Sequence, residues 1–380
     1  MSELDSVPLR DDLRGEVPYG APQIDVPVRL NVNENPYPLS AGLIADIAAA
    51  VGAAAGGLNR YPDREARQLR ADLAGYLKAF ESVDVDPLRV WVANGSNEVM
   101  HQLMLAFGGP GRSVLAFAPT YSMYPQYCRD TFTHYQAVDR EPDFSLDPRV
   151  AIAAVRARQP VITLLTSPNN PTGTALPQDT ARAVLDAAAE HGGLVVVDEA
   201  YAEFRRPGTP TALELLDEYP NLVVTRTMSK AFAYAGARVG YLVAGQPIVD
   251  AVRIVRLPYH LSTVTQAVAS AALSHADELL AQVEALRIER DATVDWLRVQ
   301  GFSVAESDAN FVLFGEFADR HAVWQGLLDR GVLIRESGPA PWLRVSVGSP
   351  AEMAAFKQAL LEVAATAVGE RARPYGKVEA

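Results

Sequence analysis

The sequence predicts an α/β protein, with a mostly parallel sheet flanked by helices and a smaller α+β domain following it. Three observations lead there. Short continuous apolar runs such as Val161–Leu165 and Leu194–Val197 read as strands buried on both faces. Helical stretches separate these runs, and helical crossovers between buried strands imply parallel pairing. After Val299 the rhythm changes to short strands interleaved with two helices. A chain of 380 residues also exceeds what one hydrophobic core usually serves.

Residues 1–40 are irregular and proline-rich, punctuated by Tyr19-Gly20-Ala21-Pro22 and Asn33-Glu34-Asn35-Pro36. The alanine-rich stretch from Ala41 to Gly56 predicts a helix. A second is predicted from Arg64 to Phe80, with Asp63 as its cap. Strands are expected at Arg89–Ala93, Ser113–Phe117, Val161–Leu165, Leu194–Val197, Leu222–Val224 and Arg238–Ala244. Helices are expected at Asn97–Phe107, Tyr121–Arg129 and Gln178–Glu190. A helix-rich stretch from Pro247 to Val299 leads into strands at Phe302–Val304, Asn310–Phe314, Val332–Arg335 and Trp342–Val347. Helices near His321–Arg330 and Ala351–Ala367 accompany them, and the polar tail from Gly369 reads as frayed.

The net charge of -12 disfavours a nucleic-acid partner, since no cluster of Lys and Arg forms a basic face. Glu3, Asp5, Asp11 and Asp12 lie where a secretory signal would place basic and apolar blocks, and no apolar stretch is long enough to span a bilayer. The expectation is a cytoplasmic enzyme. Cys128 is the only cysteine, which excludes an intramolecular disulfide and a thiolate metal cluster. The six histidines are scattered without ligand spacing, so no protein-held metal is expected.

Four stretches sit at predicted strand ends, where open α/β sheets bind ligands. Ala93-Asn94-Gly95-Ser96-Asn97-Glu98 opens a helix, so it offers either an anion site or an ordinary Ser/Asn cap. Ser167-Pro168-Asn169-Asn170-Pro171-Thr172-Gly173 is either a rigid turn presenting amides or a plain turn. In Asp198-Glu199-Ala200-Tyr201 a carboxylate ends a buried strand and needs a partner, which is either a protein cation or a ligand cation. Thr227 to Tyr241 places Ser229, Lys230 and Arg238 after a strand, suited to an anionic group beside an amine, or simply to a solvated loop. No GxGxxG follows a strand, no GxSxG elbow occurs, and Gly109-Pro110-Gly111-Arg112-Ser113 lacks the GK[ST] ending of a phosphate loop.

Taken jointly and in order, Arg29 to Pro36, Arg60-Tyr61-Pro62-Asp63, Ser167 to Gly173, Asp198 to Tyr201, Ser229-Lys230 and Leu343-Arg344-Val345-Ser346 resemble the fold-type I aminotransferases that use pyridoxal 5'-phosphate. Among these the chain is most similar to the histidinol-phosphate aminotransferases, over nearly its whole length. The resemblance implies a seven-stranded sheet in a large cofactor-binding domain over residues 41–265. It further implies a small C-terminal domain over 266–380 and an N-terminal lid or arm over 1–40 that packs with the small domain.

By the same resemblance, Lys230 forms an imine with the cofactor aldehyde and later moves a proton. Asp198 faces the pyridine nitrogen, Asn170 and Tyr201 bond the ring O3', and Tyr121 stacks on the ring. Ser96, Asn97, Thr227, Ser229 and Arg238 hold the phosphate. Tyr61 reaches the neighbouring subunit's cofactor, which implies a homodimer with shared active sites. Arg344 binds the carboxylate of glutamate and 2-oxoglutarate and, in turn, the phosphate of histidinol phosphate; a structural salt bridge is its alternative. Tyr19 and Asn33, with Tyr61 and Asn170, line the substrate pocket. The implied reaction converts L-histidinol phosphate and 2-oxoglutarate to imidazole-acetol phosphate and L-glutamate. An aromatic amino acid aminotransferase with the same mechanism is the alternative.

Overall fold

The computed structural model describes residues 6–370. In chain order its elements are β1 (Val28–Arg29), α1 (Ala41–Ala55), α2 (Arg67–Glu81), β2 (Val90–Ala93), α3 (Ser96–Phe107), β3 (Ser113–Ala118), α4 (Tyr124–Asp130), β4 (His134–Asp139) and α5 (Pro148–Arg158). These are followed by β5 (Ile162–Thr166), α6 (Gln178–Ala189), β6 (Leu194–Asp198), β7 (Leu222–Thr227), β8 (Gly240–Ala244), α7 (Gln246–Val255), α8 (Thr263–Leu273) and α9 (Ala276–Val299). The last group is β9 (Ser303–Val304), β10 (Phe311–Gly315), α10 (Arg320–Leu328), β11 (Val332–Leu333), β12 (Trp342–Ser346) and α11 (Pro350–Glu370).

Seven strands form the main sheet in the order β2-β8-β7-β6-β5-β3-β4. Only β8 runs antiparallel to its neighbours; the other pairs are parallel. β3, β5, β6 and β7 therefore end on the same edge, and their following loops meet there. β12, β10 and β9 form a separate antiparallel sheet, while β1 pairs in parallel with β11. Long α9 joins two cores: Leu279, Val283 and Leu286 pack into the main-sheet core, Val294 and Leu297 into that of the small sheet.

Several boundaries differ from the sequence reading. β4 and α5 were not anticipated from the residues, because β4 is an edge strand of exposed and half-buried side chains without a clean apolar run. α4 begins at Tyr124 rather than Tyr121, whose carbonyl accepts from the Tyr124 amide in a preceding turn. α2 starts three residues late, because Asp63 accepts from the Glu65 and Arg67 amides and so closes a turn ahead of the helix. β8 starts at Gly240, since Arg238 adopts a left-handed conformation with φ 56°. β11 ends at Leu333, although Arg335 still bridges to Arg344 of β12. α11 continues to Glu370, and the remainder of the expected tail lies outside the described residues.

The two-residue period of a strand sorts charges to opposite faces of the sheet. Asp198 and Thr225 are register partners on β6 and β7 and meet on one face. The next residues, Glu199 and Arg226, meet on the other, at 2.7 Å. There the fully buried Arg226 also pairs with Glu81 at 2.8 Å and Glu203 at 3.4 Å, while Arg205 holds Glu81 at 2.8 Å. This cluster ties α2 to the ends of the strands that carry the site. Replacing Arg226 with Met leaves three carboxylates buried without their central cation. Urea denaturation is expected to show a loss of about 3–5 kcal/mol; a loss below about 1 kcal/mol, typical of a surface pair, would show that the cluster does not brace these strands.

Candidate active site

A cavity of about 740 Å³ lies over the shared edge of β3, β5, β6 and β7, closed on its far side by residues 31–34, Arg335 and Arg344. In a chain of net charge -12, its wall carries Lys230, Arg238, Arg335 and Arg344 against only Glu34 and Asp198. Among the described residues none of the three arginines forms an ion pair with a protein carboxylate. Four cations held without matching acids make a receptor for anions.

One end of the cavity is a cradle. Gly95, not Ser96 or Asn97, is the N-cap of α3, and no side chain caps the helix. The cap alternative is thus set aside: Ser96 and Asn97 fall in the first turn, where amides have no carbonyl partner within the helix. Glu98 reaches back to the Asn94 amide at 2.5 Å and to its side chain at 2.7 Å, fixing the loop that leads in. Arg238 lies over Gly95, and a Cβ there would sit 2.5 Å from its Nη2. Gly240 allows β8 to approach, since a Cβ on it would lie 2.2 Å from the Ser96 nitrogen. Thr227 Oγ1 donates to Ser229 Oγ at 3.0 Å, and Arg238 Nη1 donates to the same oxygen at 3.3 Å. Helix amides, two hydroxyls and a guanidinium converge as a phosphate would require.

At the other end Asp198 is 5% exposed and, among the described residues, forms no ion pair with a protein cation. Its carboxylate accepts from Tyr124 Oη at 2.8 Å, Thr225 Oγ1 at 3.2 Å and the Ala200 amide at 3.3 Å. Burial pushes its pKa up, against these three hydrogen bonds. Of the two partners open to it from sequence, the protein cation is excluded among the described residues, which leaves a ligand cation.

Between these ends, Tyr201 Oη accepts from Asn33 Nδ2 at 3.0 Å and Asn170 Nδ2 at 3.3 Å, leaving its own proton for a further acceptor. Tyr121 stands on the wall with its hydroxyl on Asn97 Oδ1 at 3.3 Å. Half-buried Lys230 donates to the Val32 carbonyl at 2.9 Å. Burial, reinforced by Arg344 and Arg238 and opposed by Glu34, lowers its pKa to about 8. Its amine therefore loses its proton far more readily than an ordinary lysine, as a nucleophile needs.

Arg344, 6% exposed, donates to Asn170 Oδ1 at 2.6 Å and to the Asn31 carbonyl at 3.0 Å. Among the described residues the structural salt bridge is not formed. Arg335 faces the same cavity from the paired backbone. Tyr19 sits at the rim, its hydroxyl accepting from Ser122 at 3.4 Å. Tyr61 alone among the expected residues is not brought to the cavity of its own chain; it is 78% exposed and stacks on Tyr259 at 4.2 Å.

Three contributors were not singled out from sequence: Tyr124, Thr225 and Arg335. In the helix expected from Tyr121 to Arg129, Tyr124 lies one turn after Tyr121, and Thr225 lies two residues before Thr227 on the same strand face, so spacing alone was a usable signal for both. Arg335 gave no such signal, because its place follows from a bridge across to Arg344.

A ring with a cationic nitrogen at one end and a phosphate at the other fits this donor set, as pyridoxal 5'-phosphate has. The family model for aminotransferase class I and II matches residues 26–360. Histidinol-phosphate aminotransferase 3 of Burkholderia lata is 62% identical over 362 residues, covering 95% of this chain and 97% of its own. The histidinol-phosphate aminotransferase of Thermobifida fusca is 62% identical over 358 residues, 94% of this chain and 96% of its own. Among solved structures, histidinol-phosphate aminotransferase from Sinorhizobium meliloti in complex with pyridoxal-5'-phosphate superposes with a TM-score of 0.81 at 26% identity, covering 90% of this chain and 92% of that one. This chain belongs to the class I and II aminotransferases and, within them, to the histidinol-phosphate aminotransferases.

Proposed function

We propose that the protein transfers the amino group of L-histidinol phosphate to 2-oxoglutarate, yielding imidazole-acetol phosphate and L-glutamate, with pyridoxal 5'-phosphate as cofactor. The observation that carries this reading is the pair Arg335 and Arg344, two adjacent guanidiniums facing one cavity without protein acids. A phosphate takes two such forks readily, and either carboxylate substrate can take one. The aromatic amino acid alternative, whose amino donors carry a single carboxylate, leaves the second arginine unused in that half-reaction, and the relatives at 62% identity do not favour it.

When bound, the cofactor supplies an aldehyde and an electron-withdrawing ring. The cradle of Ser96, Asn97, Thr227, Ser229 and Arg238 would hold its phosphate, and Asp198 its ring nitrogen. Tyr201, oriented by Asn33 and Asn170, would donate to the ring hydroxyl oxygen. Lys230 Nζ would take a proton from the substrate carbon that bears nitrogen and return it elsewhere, a transfer suited to its lowered pKa of about 8. Tyr19 and Asn33 would close the pocket against water.

A homodimer and a cytoplasmic location belong to this proposal. The lone cysteine, Cys128, is buried and free, as suits a reducing compartment. Exposed Leu58, Tyr61, Ile254 and Leu257 lie on two segments clasped by the Tyr61–Tyr259 stack and by Arg253 and Arg256 on Glu65. That apolar face suits a second copy, from which Tyr61 would enter the neighbouring site.

Two experiments test these points. In steady-state kinetics Arg335→Leu is expected to cut kcat/KM for histidinol phosphate about a hundredfold and that for glutamate less than about tenfold; equal losses, or a parent enzyme that prefers phenylalanine, would refute the substrate assignment. Co-expressed Lys230→Ala and Tyr61→Ala chains are expected to recover about a quarter of parental activity, since half the dimers would carry one intact site of two. Recovery no greater than the sum of the separately purified variants would refute the shared site.

A further inference from the structure

Asp198 is served by a hydroxyl chain that the reaction outlined above does not use. Fully buried Tyr124 donates its only hydroxyl proton to Asp198 Oδ2, at 2.8 Å. Thr166 Oγ1 lies 2.9 Å from the Tyr124 oxygen and must therefore act as donor to it. Thr120 Oγ1, 3.1 Å from Thr166 Oγ1, then donates in the same sense. Thr120 and Thr166 both reach the cavity wall, so the chain runs one way, from wall to carboxylate.

The two oxygens of Asp198 are not equivalent. Oδ1 accepts from Thr225 and from the Ala200 amide, which fills its two lone-pair directions. Oδ2 accepts only from Tyr124 and keeps one direction open. Among the described residues Tyr121, Tyr124, Tyr127, Tyr201 and Glu199 act on the carboxylate, Lys230 shares its cavity, and no cation forms an ion pair with it. Among the described residues no cation pairs with Asp198, and donated hydrogen bonds are its direct partners.

We propose that Tyr124 is a positioning residue that keeps Asp198 ionised and presents Oδ2 to the ring nitrogen of the cofactor, with Thr166 and Thr120 orienting the Tyr124 hydroxyl. Removing the phenol proton takes away a charge-assisted hydrogen bond to a buried anion, so the carboxylate becomes easier to protonate and free to turn. A protonated Asp198 has no attraction for a cationic nitrogen. The inference rests on the cofactor assignment made above.

The test titrates cofactor-free protein with pyridoxal 5'-phosphate between mildly acidic and mildly alkaline pH, following the change in visible absorption. The Tyr124→Phe variant is expected to bind about tenfold more weakly at neutral pH. Its deficit should grow as pH falls, because its carboxylate protonates at higher pH than the parent's. The midpoint of thermal unfolding without cofactor, a purely structural readout, has no reason to follow that pH dependence. Thr166→Val keeps the Tyr124–Asp198 contact but loses the orienting donor, and is expected to show a deficit of about threefold with the same pH trend. An affinity within twofold of the parent at every pH, or a deficit that does not change with pH, would overturn the proposal. If Tyr124→Phe fails to fold, Thr166→Val decides by the same criteria. A parent protein that does not bind the cofactor would instead overturn the functional reading, and it would show this before any substitution is made.

Discussion

A buried carboxylate without a protein cation is the constraint around which this molecule is arranged. Asp198 ends β6 inside the chain, where desolvation alone would favour its neutral form. Three donors from three elements converge on it: Tyr124 on α4, Thr225 on β7 and the turn amide of Ala200. Each reaches it only because parallel β6 and β7 are in register and α4 packs beneath. The charge is sustained by polar neighbours and directed toward the cavity. The ion cluster on the opposite face serves the same end, since Glu199 turns away from the site and takes Arg226 with it.

The cavity reverses the sign of the chain. Acidic residues outnumber basic ones in the sequence, yet the cavity wall concentrates one lysine and three arginines, and among the described residues none of these arginines pairs with an acid. Their positions divide the labour. Arg238 comes from the loop before β8 and meets the start of α3, whereas Arg335 and Arg344 approach from the small sheet. Lys230 stands between the two groups, and both Arg238 and Arg344 help to lower its pKa. On the proposed reading, the anion-binding groups that hold cofactor and substrates also prepare the amine that reacts.

Much of this was legible from sequence for a physical reason. Strands buried on both faces leave continuous apolar runs, and a charged residue directly after such a run is costly enough to be conspicuous. Asp198 stood out in that way, and Lys230 and Arg238 did so because they follow β7. The seven-stranded count came through the resemblance, since edge strand β4 lacks an apolar run. Tyr124 stayed hidden because an aromatic residue in a short helix looks like core until its hydroxyl is traced to a partner 74 positions on. Arg335 stayed hidden because only the backbone bridge to Arg344 places it at the cavity. Ser96 and Asn97 read more readily as a helix cap than as an anion site, and only the structure puts Gly95 in the cap role.

The central claim is that Asp198 remains charged in order to hold a protonated ring nitrogen. Nuclear magnetic resonance of holoprotein reconstituted with ring-nitrogen-labelled cofactor reads that proton directly. The account predicts a nitrogen that stays protonated from neutral into alkaline pH in the parent protein and loses its proton in Asp198→Asn. A nitrogen already deprotonated at neutral pH in the parent, or one indifferent to that substitution, would contradict it.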